Sequence, residues 1–400
     1  MKIFFGLLLI LFLAFSGYHL TFRRFRLPLF ARRFYLTGIE FLFLGILLGP
    51  QFLNIVDEDT RRGLEPLTAL LLGWTGLLFG FQFEMARLRR FAFEFLSAAI
   101  MEGAIAFVWN FLGIYCALSL FFSLTGLMKI MLATTLASVA ACTAQTGLAL
   151  LPRDSVTRHR DTLKLLTCIS NINGLIPLLT FGVAFLFSPR FLITTNIGRD
   201  IMGGFGLVLL YTLFLTRHRK ESELILIVIG MAVLTSGTAS VLHFSPLFAN
   251  FFVGCCIVNL SNEKDRIFNI LISVEKPVYL LILVFLGVNC HFSIDLASAL
   301  MLGSVCFCLW RSLGKIFGGF AISHLSRELK RYPHRLGFGL LDMGGLSLAI
   351  LLDFHHGFLY EMTSHIIGMI LMAVVFNNLT SYYFLRQLLN SSLKQQSTMP

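Results

Sequence analysis

Apolar runs of about 20 residues recur from one end of this 400-residue chain to the other. A helix needs about that length to cross ~30 Å of hydrocarbon. In lipid every backbone N–H and C=O must find its partner within the protein, which leaves helices and closed barrels as the spanning structures. Barrel strands would read as short alternating segments, and this sequence has none. The pattern therefore predicts an all-α polytopic membrane protein, in keeping with 56% hydrophobic and only 13% charged residues.

Thirteen spans are predicted, at residues 3–21, 34–56, 66–84, 92–121, 127–151, 162–188, 201–216, 222–242, 246–260, 273–289, 295–323, 336–354 and 360–386. The first is read as a helix, because it lacks both a basic start beyond Lys2 and a small-residue cleavage site. Alternate loops hold 23 of the 32 basic residues, while the acidic run Asp57-Glu58-Asp59 falls on the opposite side. Basic loops stay in the cytoplasm, so the expected orientation is N-terminus outside and C-terminus inside, in the cell (inner) membrane. The net charge of +11 reflects these loops; basic residues this scattered exclude a nucleic-acid partner. The eight cysteines lie mostly in apolar runs without metal-ligand spacing, so no cofactor is expected. No loop is long enough for a soluble domain, and no nucleophile–base constellation suggests an enzyme. A single transmembrane domain over 1–400, with no soluble C-terminal domain, is the expectation.

Polar residues within spans mark transport paths. Span six contains Cys168-Ile169-Ser170-Asn171-Ile172-Asn173-Gly174-Leu175-Ile176-Pro177, which has no acid. Spans five (Ala133 to Gly147, with Thr143 and Gln145) and twelve (Gly337 to Ser347, with Asp342) are apolar helices interrupted by glycine and hydroxyl residues. Small residues also permit close helix packing, but two interruptions at matching places in two halves point to a transporter's binding site. Spans 2–6 and 9–13 are accordingly expected to be inverted repeats. Arg311 and Lys315 lie one turn apart on span eleven and share a face. They are either a structural ion-pair element or part of the path. Glu102 lies mid-span on span four, whereas Glu40, Glu94 and Asp353 lie nearer helix ends, where solvation or pairing is expected. Asn110 and Asn250 are expected to bond between helices.

Several motifs resemble the monovalent cation:proton antiporter superfamily, most closely its Kef-type branch. Gly45-Ile-Leu-Leu-Gly-Pro50 is similar to the family's GILLGP. Gly80-Phe-Gln-Phe-Glu-Met-Ala-Arg-Leu-Arg-Arg90 resembles its G-L-E-L-D and basic run, and Thr157-Arg158-His159 its T-R-H. Ser245-Pro246 with Phe251, Gly254 and Asn259 resembles an S-P…F-x-x-G…N stretch, and Lys315 falls where the family has an intramembrane lysine. The resemblance implies a thirteen-helix fold. Its core, about 92–188 and 295–386, holds two crossed broken helices. Its panel, about 34–84 and 201–289, supports a homodimer. It also implies exchange of Na⁺ or K⁺ for protons by alternating access, with cation and proton competing for an acid on span six.

At the acids the sequence departs from that pattern. Counting on from Thr157-Arg158-His159, Asn171 takes the essential aspartate position and Ser170 precedes it. Gln82 and Gly345 each stand where relatives have glutamate. An asparagine can ligate a cation but cannot titrate. Asp342, or less directly Glu102, is the candidate replacement; Asp342 alternatively forms a structural pair with Lys315 or caps the break. The expected function is a proton-coupled monovalent cation transporter, the alternatives being an uncoupled cation or solute pathway and a non-transporting regulatory or scaffold protein. Candidate site residues are Asn171, Ser170, Asn173, Thr143, Gln145, Asp342, Lys315, Arg311 and Glu102.

Overall fold

The computed structural model describes residues 38–144, 159–186, 211, 221–291, 297–325, 329–333, 335–357 and 360–396. Spans one and seven, apart from Tyr211, lie outside them, as do Gln145 and the Thr157-Arg158 part of its motif. Among the described residues every regular element is helical. The main helices are α1 (Ile39–Leu48), α2 (Glu65–Gly80), α3 (Phe93–Phe121), α4 (Gly126–Ala141), α5 (Arg160–Ile172), α6 (Leu175–Leu186), α7 (Glu221–Val241), α8 (Pro246–Leu260), α9 (Lys264–Ser273), α10 (Glu275–Val288), α11 (Ala297–Leu325), α12 (Gly345–Gly357) and α13 (Tyr360–Gln396). Among the described residues, five stretches are long and apolar enough to cross a membrane: Phe93–Phe121, Arg160–Phe185, Ser222–Val241, Ser298–His324 and Ser364–Asn390. A sixth is the pair α9 and α10 taken together, bent by 44°. The protein is a multi-pass membrane protein.

Two predicted spans are shorter as helices than expected. Span two ends at Leu48, because Gly49 is extended and Pro50 follows it. Span five stays helical through Thr134 to Ser138, where an interruption was expected. Thr134 Oγ1 and Ser138 Oγ donate to the carbonyls of Ile130 and Thr134, at 2.7 and 2.8 Å. The hydroxyls thus satisfy themselves one turn back without opening the helix, and α4 breaks only at Cys142. The second interruption is a 3₁₀ turn at Leu336–Leu340, a stretch without regular structure over 341–344, and then α12.

Close crossings come in related pairs, as an inverted repeat requires. α1 crosses α10 through Gly45 and Gly287: a Cβ on Gly45 would lie 2.2 Å from the Val284 carbonyl oxygen, and one on Gly287 2.3 Å from that of Leu42. α2 crosses α8 through Gly80 and Gly254 in the same way, with Phe251 O and Leu77 O at 2.4 and 2.6 Å. α3 and α11 exchange a reciprocal contact. Trp109 fills the space over Gly314, Trp310 fills that over Gly113, and the two indoles stack at 5.1 Å. The pentads Trp109-Asn-Phe-Leu-Gly113 and Trp310-Arg-Ser-Leu-Gly314 share tryptophan, leucine and glycine, a repeat visible in the sequence but not recognised there.

Candidate functional site: the crossover of the two broken helices

The two breaks meet. Ala144 N donates to Asp342 O at 3.0 Å, and a Cβ on Gly344 would fall 2.5 Å from that of Ala144. Helix ends leave carbonyls without intrahelical donors and carry partial negative charge. Here side chains of α11 satisfy them. Arg311 donates to Leu341 O at 2.6 Å, Cys142 O at 3.0 Å and Asp342 O at 3.3 Å. Lys315, one turn on, donates to Ala141 O. Both cations are fully buried.

Lys315 also makes the ion pair of the site. Its partner is Glu102 on α3, with Nζ to Oε1 3.0 Å and both side chains fully buried. Lys315 thus pairs with Glu102 and not with Asp342, the pairing that was one alternative for that acid. The Trp109/Trp310 contact locks α3 to α11, and Glu102 and Lys315 lie close along those helices from it. Asp342 sits in the irregular stretch between the 3₁₀ turn and α12 and is buried. Its main-chain carbonyl takes the Arg311 contact, and its carboxylate accepts from Ser381 Oγ at 3.4 Å. A lone buried charge is costly, whereas a paired and hydrogen-bonded one is tolerated.

Asn173 completes the cluster. Its Nδ2 donates to Glu102 Oε2 at 2.7 Å and to Thr143 Oγ1 at 3.0 Å, and Thr143 Oγ1 donates on to Leu340 O at 3.3 Å. Asn173 Oδ1 is buried and accepts from no donor. Asn173 follows the last residue of α5 and starts the turn before α6. Asn171 is exposed, whereas Ser170 is buried. Two residues along a helix turn about 200°, so one face cannot present both asparagines. The structure thus joins Glu102, Lys315, Asn173 and Thr143, sets Arg311 and the Asp342 backbone beside them, and leaves Asn171 on the other face. Glu102, the second choice from sequence, is the acid at the centre.

Other polar residues stabilise the frame. Asn250 bonds between helices, to Ser236 Oγ at 3.0 Å, as expected. Asn110 does not: its Nδ2 bonds back to Ala106 O on its own helix, at 2.7 Å. Glu84 forms a clasp in the turn beyond α2, with Lys264 Nζ at 2.6 Å and Arg87 Nε at 3.3 Å. The Lys264 ammonium holds its carboxyl below the usual carboxylate range. Glu40 was expected to be solvated or paired; instead both its carboxylate oxygens are buried without a hydrogen-bond partner.

No family model and no curated relative matches this sequence. Among solved structures, the sodium proton antiporter MjNhaP1 from Methanocaldococcus jannaschii, determined at pH 8, is similar with a TM-score of 0.63 and 16% sequence identity, over 96% of this chain and 99% of that one. The chain has the sodium/proton antiporter-like fold, with inverted repeats and two crossed discontinuous helices.

Proposed function

We propose that the protein is a secondary active transporter exchanging a monovalent cation for a proton by alternating access. The Glu102–Lys315 pair takes the place of the missing acid on span six. The observation that carries this reading is the fully buried Glu102 carboxylate, held by Lys315 and Asn173 where the broken helices cross. An incoming cation competes with the Lys315 ammonium for Glu102. Asn173 Oδ1 and Thr143 Oγ1 supply further oxygen ligands of the kind hard cations take. Once displaced, the buried ammonium loses the charge that stabilised it and releases its proton. One cation enters as one proton leaves, and the charge of the site is unchanged.

Loop charge supports a cytoplasmic C-terminus in the cell (inner) membrane, and the fold's panel helices suit a homodimer. Proteoliposomes carrying a pH-sensitive dye provide the test. Cation-dependent proton movement is expected from the natural protein, with a loss of 100-fold or so in Glu102→Gln, the scale of removing a proton-transfer group. It should persist in Asp342→Asn. Flux that survives Glu102→Gln but disappears in Asp342→Asn would move the carrier to Asp342.

A second reading has its own support. Arg311 occupies three carbonyls at the crossover, and a guanidinium is not deprotonated in proteins. A permanent built-in cation suits a pathway without coupling, or a fold that no longer transports. Isotope uptake without proton movement would favour the first, and the absence of any flux the second.

A further inference from the structure

Among the described residues, Asp353 is the fully buried acid that the crossover does not use. It lies on α12 eight residues beyond Gly345, roughly 12 Å along the helix at about 1.5 Å per residue. There it meets the N-terminus of α8. Ser245 caps that helix, its Oγ accepting from Phe248 N at 3.0 Å and donating to Asp353 Oδ2. Leu247 N donates to the same oxygen at 3.3 Å. Pro246 has no N–H, so Asp353 takes the first free backbone donor of α8. It also places a negative charge at the positive end of the helix dipole. Its other oxygen, Oδ1, is buried and has no partner.

We propose that Asp353 is a proton-binding site that latches α12 to the N-terminus of α8 when ionised and releases it when protonated at Oδ1. The ionised form is held by two hydrogen bonds and a helix terminus, at the cost of burying a charge. A proton taken from water onto the free Oδ1 removes that charge. Oδ2 then becomes a weaker acceptor for Leu247 N and Ser245 Oγ. Because α12 carries the second break, the latch couples proton uptake at one end of the helix to the freedom of the break at the other.

Among the described side chains, no other titratable group holds Asp353. Of the helices packed against α12, α6 carries no charged side chain and α8 only the thiols Cys255 and Cys256. α2 contributes Glu65, α4 Lys129, α10 Glu275, Lys276 and Tyr279, and α13 Glu361, His365, Tyr360, Tyr382, Tyr383, Arg386 and Lys394. None of these whose side chain is described bonds to Asp353. Its own helix adds His355 and His356, and His355 Nε2 contacts Asn289 Oδ1 at 3.1 Å, which also accepts from Arg61 at 3.2 Å.

Amide hydrogen exchange on the full chain in lipid nanodiscs, followed through a pH series and corrected for the intrinsic exchange rate, tests the latch without requiring transport. The protection factors of Leu247 to Ala249 should fall about tenfold on acidification, the scale of losing one hydrogen bond to a charged group. In Asp353→Asn they should be low and independent of pH. Ser245→Ala keeps the acid but removes one bond to its charged form, so its midpoint should move to higher pH. Protection that does not change with pH in the natural protein, or an Asp353→Asn profile that titrates like it, overturns the proposal. An unmoved midpoint in Ser245→Ala does the same. Because the readout is protection rather than flux, a failed exchange mechanism leaves this test standing.

Discussion

At the scale of single residues, the central fact is a fully buried ion pair whose members come from distant parts of the chain, Glu102 on α3 and Lys315 on α11. Such pairs contribute little net stability when complete, but removing one member strands the other. Lys315→Gln should therefore lower stability by about 3–5 kcal/mol. Glu102→Gln together with Lys315→Gln should recover much of that loss, because neither charge is left alone. Denaturant unfolding in detergent, arranged as a double-mutant cycle, checks this; additive losses would show that the two side chains do not depend on each other. The sequence showed that Glu102 and Lys315 each lie inside a span. It did not show that they meet, because periodicity reveals the face a residue occupies and not the helix opposite. Asn171 and Asn173 illustrate the same limit. Spacing from a distant motif drew attention to Asn171, whereas helical rotation carried Asn173 to the Glu102 carboxylate.

At the scale of elements, glycines set how closely helices approach. Gly254→Ala and Gly287→Ala would each push a Cβ to within 2.6 and 2.3 Å of a backbone carbonyl oxygen. Backbone cannot move aside as a flexible side chain can, so each should cost about 1–3 kcal/mol. Gly230, within α7, has nothing within 4 Å of an added Cβ. Gly230→Ala should be neutral or stabilising by about 0.5–1 kcal/mol through helix propensity. Thermal unfolding of the three variants separates packing from propensity. The interruptions were legible as clusters of small and hydroxyl residues, but their positions were not. Thr134 and Ser138 have the composition of a break and remain helical, since each hydroxyl finds a carbonyl one turn back.

At the scale of the whole molecule, the clasp in the turn after α2 ties that turn to the start of α9 through Glu84 and Lys264, next to Asn259, which accepts from Met85 N at 2.8 Å. Because the folded Glu84 carboxyl lies below its ordinary value of 4.5, its contribution is complete above that value. It is lost as the pH falls through the depressed one. Unfolding followed from neutral to acid pH should show Glu84→Gln less stable at neutrality and converging on the natural protein in acid. A constant difference across the range would remove the charge from the explanation.

By itself the sequence determined the membrane class and most helix limits, because apolar length and backbone satisfaction in lipid leave few alternatives. It also determined the presence of two interrupted helices and of cations inside the bundle. Only the tertiary structure decided which acid those cations meet, and that Asp353 rests on the N-terminus of α8. Burial rewards pairing of any acid within reach, and reach between helices far apart in the chain is set by how the Trp109/Trp310 and glycine crossings bring them together.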